Sequence, residues 1–67
     1  MKPLRVLFGN RVRALRKVAE LKQDEFADLC GFTRSYISRI ETGGANPSLD
    51  AVQTIAVALR VSVKELF

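Results

Sequence analysis

The side chains in this sequence with chemistry to offer are mostly cationic. Of the 11 lysines and arginines, Lys2, Arg5, Arg11, Arg13, Arg16, Lys17 and Lys22 fall in residues 1–22, where Glu20 is the sole acid. A basic end on a small chain of net charge +4 suits a polyanion, either nucleic acid or an acidic lipid surface. The alternative is a solvated face that keeps the chain in solution. Bond-breaking chemistry lacks its parts. The sequence has no histidine, the usual general base and commonest metal ligand. It also lacks a carboxylate pair in a plausible pocket and a glycine-rich phosphate loop. The single cysteine, Cys30, can close no disulfide within the chain and offers no metal cluster. It reads as a small core residue, with a redox switch as the alternative. No enzyme, metal or cofactor is expected.

These side chains need a scaffold, and 67 residues make one domain, 1–67, with no room for a second core. At this size roughly 60% of the unfolded chain's surface is buried, so stability is modest. With 48% hydrophobic and 27% charged residues the composition is that of a globular chain. The longest unbroken apolar run, Ile55 to Leu59, is far too short for a membrane span. No signal-peptide pattern is visible, and a cytoplasmic location is expected.

The periodicity is helical throughout, with no strand alternation and no repeat. Pro3 suits a first helical turn, after which Phe8, Val12, Leu15 and Ala19 recur on one face while the arginines fall largely off it. A second helix runs from about Gln23 to Cys30, with Phe26, Leu29 and Cys30 inward and Gly31 ending it. Thr33 is a good N-cap for a third, in which Tyr36, Ile37 and Ile40 alternate with polar residues until Gly43. The clearest loop is Gly43-Gly44-Ala45-Asn46-Pro47. Ser48 caps a fourth helix with an apolar stripe of Leu49, Val52, Ile55, Ala56 and Leu59. Ser62 and Glu65 have the form of a capping box for a last helix, Val63 to Phe67. The expected fold is all-α, a compact five-helix bundle.

Within it, Gln23–Phe32 and Thr33–Gly43 give two short helices joined by a three- to four-residue turn containing glycine. Small Ala27 sits where they would cross, and Ile37 and Ile40 are spaced to hold the second helix on the first. This is helix-turn-helix geometry, which leaves the second helix's outer face free to enter a major groove. Helical hairpins with a glycine turn also occur in bundles that never touch DNA.

Three stretches, Arg11-Val12-Arg13-Ala14-Leu15-Arg16, Gln23-Asp24-Glu25-Phe26-Ala27 and Thr33 through Glu41, resemble the Cro/phage-repressor (Xre-type) family. Asn46-Pro47-Ser48-Leu49 and Leu59-Arg60-Val61-Ser62 carry the likeness on, so that it spans about Phe8 to Phe67. In size the chain is nearest to restriction-modification controller proteins and small phage repressors. The resemblance implies a lambda-repressor-like fold and a sequence-specific transcriptional regulator of double-stranded DNA. It further implies a dimer on a palindromic operator, with a recognition helix of about Arg34–Thr42. By the same resemblance Arg34, Ser35 and Arg39 reach base edges, and Ser38 between them faces base or backbone. An arginine there can span guanine O6 and N7, worth roughly 1–3 kcal/mol of discrimination.

The resemblance also implies phosphate contacts from Gln23, Thr33, Tyr36, Asn46 and Arg11, and an ion pair between Arg16 and Glu41 that joins helix one to the end of helix three. Departures from the family pattern fall at Glu20 and Arg60, where it has glycine, and at Lys22, where it has a small N-cap. They put the shapes of those helix ends in doubt. Val61, Val63, Leu66 and Phe67 crowd the C-terminus, part of them forming a two-fold interface with the exposed side of helix four, or else capping the domain's own core. A two-fold dimer would space its recognition helices roughly 34 Å apart, one turn of DNA. The competing function is a helix-turn-helix module that grips a protein, as in an antitoxin. Basic Arg34 and Arg39 on the free face favour DNA.

Overall fold

In the computed structural model, which describes residues 2–67, four α-helices precede one 3-10 turn. The helices are α1 (Leu4–Val18), α2 (Gln23–Cys30), α3 (Arg34–Glu41) and α4 (Leu49–Leu59), and the turn is Val63–Leu66. The expectation of five helices is corrected at this last element. Its bonds run from the Glu65 amide to the Ser62 carbonyl (3.0 Å) and from Phe67 to Lys64 (3.3 Å), the i→i+3 closure of a 3-10 helix. The Ser62–Glu65 capping box does form: the Glu65 carboxylate accepts from the Ser62 amide at 2.8 Å and from its hydroxyl at 3.3 Å.

Helix starts follow the caps read from sequence. Thr33 Oγ1 accepts the Tyr36 amide and Ser48 Oγ the Ala51 amide, each at 3.1 Å. α2 begins at Lys22 without a side-chain cap; instead the Glu25 carboxylate accepts the Lys22 amide at 2.8 Å. Asp24 and Glu25 in that first turn also suit the positive end of the helix dipole.

All four helices end in one way. The amides of Leu21, Phe32, Gly44 and Val61 reach back to the carbonyls of Arg16, Ala27, Arg39 and Ala56 at 2.8–3.1 Å. Inside these lie bonds from Glu20, Gly31, Gly43 and Arg60 to Lys17, Asp28, Ile40 and Val57, completing four Schellman motifs. The residue at each turn has positive φ: Glu20 59°, Gly31 74°, Gly43 80° and Arg60 59°. Leu21, Phe32 and Val61, each following such a residue, pack on the core and hold the turn shut. The family shape therefore survives without glycine at Glu20 and Arg60.

Left-handed backbone costs a non-glycine residue roughly 1–2 kcal/mol, and glycine gives back roughly 0.5–1 kcal/mol in chain entropy. Glu20→Gly and Arg60→Gly are each expected to stabilise the domain by about 0.5 kcal/mol, read as a higher urea midpoint at unchanged slope.

The core is built on Phe26, Ile37, Ile40, Ile55, Leu66 and Val12, all fully buried. Leu66 at 0% exposure is corrected from interface to core residue, since a side chain already covered by its own domain has no area left for a partner. Three further expectations are overturned by the directions of the helices. Leu29, 61% exposed, lies off the face that α2 presents through Phe26, Ala27 and Cys30. Leu49, 86% exposed, heads α4 at the edge of its buried stripe, and Ala19 stands exposed just past α1.

Cys30 is half-buried against the core, and burial pushes its thiol up to about 11. Because the thiolate is the nucleophile, iodoacetamide at pH 8 should label native Cys30 roughly 100-fold more slowly than the urea-unfolded chain. The folded thiol holds its proton longer than the unfolded one, so its contribution to stability declines as pH rises from about 8.5 toward 11.

Candidate nucleic-acid interface

α2 and α3 pack against one another with Ala27 of α2 buried in the core, and Gly31 supplies the left-handed residue of the intervening turn. Ile37 and Ile40 point inward from α3. At 100° per residue that turns Ser35 and Arg39 outward and leaves Arg34 on the flank, and all three are exposed. Ser38 shares this side and is half-exposed; its carbonyl accepts the Thr42 hydroxyl at 3.0 Å. Nothing covers the outer face among the described residues. α3 is about 12 Å long at 1.5 Å per residue, and a major groove admits such a helix.

The support beneath α3 is rigid and charged. Arg16 donates through Nε to Glu41 Oε2 at 2.6 Å, and its Nη2 donates to Oε1 at 3.0 Å. Nη1 donates to the Leu21 carbonyl at 2.7 Å, tying the α1–α2 turn to the same group. The expected ion pair is thus present and bidentate, with side chains 9% and 2% exposed. The Glu41 hydrogen bond raises the Arg16 pKa above its ordinary value against the opposing effect of burial, so the guanidinium stays charged. α1 reaches α3 closely because Gly9 has no side chain: a Cβ there would sit 2.1 Å from the Ile40 carbonyl oxygen. Arg5 Nε donates to the Gly43 carbonyl at 3.1 Å, holding the segment that follows α3.

The expected phosphate-contacting residues are placed unevenly. Gln23 opens α2, half-buried, and its amide donates to Glu41 Oε1 at 3.1 Å, which leaves its second N–H free. Thr33 is exposed with its hydroxyl oxygen engaged as the α3 cap. Half-buried Tyr36 packs edge-on against Phe32, ring centroids 5.0 Å apart, and Asn46 is exposed in the loop after α3. Arg11 is not brought together with these. Its Nε donates at 2.7 Å to the Glu65 carbonyl, on the flank of α1 away from Gly9 and Arg16.

Two residues escaped the sequence reading. Gly9 had a signal, a glycine inside an otherwise good helix, which is retained at a cost near 1 kcal/mol only where space demands it. Arg13 had only its charge, whereas Lys22 is expected from sequence to add charge near phosphate at the uncapped start of α2. Arg13 lines a notch with Arg16, Gln23, Glu41 and Thr42; Lys22 lines an adjoining one with Arg16, Gln23, Asp24 and Arg34.

A helix-turn-helix that turns arginine and serine outward from an ion-paired support is the equipment of a DNA-binding transcription regulator, and that is the class of this fold and surface. The chain belongs to the helix-turn-helix family, whose model matches residues 12–66. It is 42% identical over 64 residues to control protein C.BamHI of Bacillus amyloliquefaciens, covering 94% of this chain and 79% of that protein. To control protein C.MunI of a Mycoplasma species it is 37% identical over 68 residues, covering 100% and 92%. The crystal structure of the restriction-modification controller protein C.AhdI from Aeromonas hydrophila superposes with a TM-score of 0.91. It is 41% identical, with 94% of this chain and 96% of that one covered. Among the described residues no helix is long and apolar enough to cross a membrane.

Proposed function

We propose that residues 1–67 act as one domain that binds a palindromic duplex operator as a homodimer and regulates transcription there; the likeness to two proteins named control proteins supports the regulatory part of this reading. The observation that carries this is the row of exposed Arg34, Ser35 and Arg39 with half-exposed Ser38, on a helix whose opposite side is fully buried. Arg34, in the first turn of α3, and Arg39 near its end are assigned to base edges, with the two serines between them. Gln23 holds a backbone phosphate through its free N–H and the α2 amides, and Thr33, Tyr36 and Asn46 are assigned further backbone contacts. The Gln23–Glu41 bond fixes the angle at which that amide meets the duplex.

Dimerisation rests on the apolar area left uncovered near the C-terminus. Val63 is 45% exposed, and Phe67, stacked at 5.2 Å on Phe8, is 60% exposed; half-buried Val61 lies beside them in sequence. The chain works by binding alone, without cofactor or reaction, in the cytoplasm with its DNA.

The test is selection from random duplexes followed by titration of variants on the recovered sequence. Arg34→Ala is expected to relax preference at one base pair by about 1–3 kcal/mol, whereas Gln23→Ala weakens binding to all sequences alike. The reverse pattern would show that these two roles are exchanged, and no enrichment at all would refute the proposal.

A further inference from the structure

We infer that Arg13, with Lys22, forms a second phosphate-binding track that carries one strand of the duplex across α1 and the start of α2. This rests on the proposed DNA-binding function and extends the contact surface beyond the helix-turn-helix itself. Two adjoining notches share Arg16 and Gln23, and together they make one open path from Arg34 to Arg13.

Charge along the path is lopsided. Arg16 and Glu41 neutralise each other in their ion pair, which leaves three cations, Arg13, Lys22 and Arg34, along the path against Asp24. Arg13 is exposed, lies one helical turn from Gly9, and sits by the C-terminal end of α3 with Glu41 and Thr42. A duplex seated on Arg34 and Gln23 therefore continues over Arg13. Arg11, by contrast, is turned to the C-terminal 3-10 turn. Of the two arginines flanking Val12, Arg13 is the one on the duplex side. Phosphate contacts from such residues add affinity and salt dependence without reading sequence.

The experiment compares wild-type, Arg13→Gln, Arg13→Lys and Arg11→Gln chains on the selected duplex and on an unrelated one, measuring the dissociation constant from 50 to 300 mM salt. Each neutralised phosphate contributes about 0.9 to the slope of log affinity against log salt. Arg13→Gln should flatten that slope by about 0.9 per bound subunit on both duplexes, with Arg13→Lys restoring it and Arg11→Gln leaving it unchanged. Because Arg13 is exposed and outside the ion pair, thermal unfolding of Arg13→Gln should match wild type. An unchanged slope for Arg13→Gln, or a loss carried by Arg11→Gln instead, overturns the inference while leaving the proposed function intact. Wild-type chain that binds neither duplex overturns the function, and this track with it.

Discussion

Glu41→Ala is expected to destabilise the domain by about 3–5 kcal/mol, because it strands the Arg16 guanidinium in the protein interior without a counter-charge. The carboxylate accepts two hydrogen bonds from Arg16 and one from Gln23, so a single truncation unlocks α1, the start of α2 and the end of α3 together. In a domain of this size 1 kcal/mol corresponds to about 4–8 °C, so the thermal midpoint should fall by roughly 12–40 °C. Circular dichroism melts would read it. The double variant Arg16→Met/Glu41→Leu provides the control, since replacing both charges by apolar groups removes the unpaired ion and should recover most of the loss. A single-variant loss below about 1 kcal/mol, the value usual for exposed pairs, would show that the pair does not brace the recognition helix.

Gly9→Ala has the second largest expected effect. The new methyl would meet the Ile40 carbonyl oxygen at 2.1 Å and the Glu41 carbonyl carbon and oxygen at 3.2 Å. All three are backbone atoms, which cannot rotate aside. The helices must part, and α3 must shift at the turn that carries Arg39. Overpacking of this kind costs about 1–3 kcal/mol or more, against roughly 1 kcal/mol that alanine gains over glycine in a helix. A net loss of about 2 kcal/mol should appear in urea unfolding, together with weaker DNA binding at temperatures where the variant is still folded. A more stable variant would mean that α1 and α3 stand further apart than described.

The interface was legible in the sequence to the extent that it depends on local rules. Caps at Thr33 and Ser48 and the left-handed turns at Gly31 and Gly43 follow from residue type and spacing. Once Ile37 and Ile40 are placed inward, the outward direction of Ser35 and Arg39, with Arg34 on their flank, follows from helix geometry. The Arg16–Glu41 pair, 25 residues apart, came only through family resemblance; no local pattern announces such a partner.

Glu20 and Arg60 adopt the conformation of the glycines they replace because hydrogen bonds and the packed Leu21 and Val61 over-determine the turn. What stayed hidden depends on which side of a short helix a neighbour covers. Leu29 and Leu49 are apolar and uncovered, whereas Leu66 is covered and its neighbour Phe67 is not. Periodicity over eight residues cannot separate these cases. Arg11 and Arg13 differ by two positions and about 200° around α1, and only the location of the C-terminal 3-10 turn tells them apart.

The most direct measurement is a two-dimensional amide NMR titration of the chain with the duplex recovered by selection. Shifts should concentrate on Arg34, Ser35, Ser38 and Arg39 and on the amides at the start of α2, while Leu29, exposed on the outer side of α2, keeps its position. Shifts confined to α4 and the C-terminal turn, with α3 unmoved, would contradict a recognition helix that faces DNA.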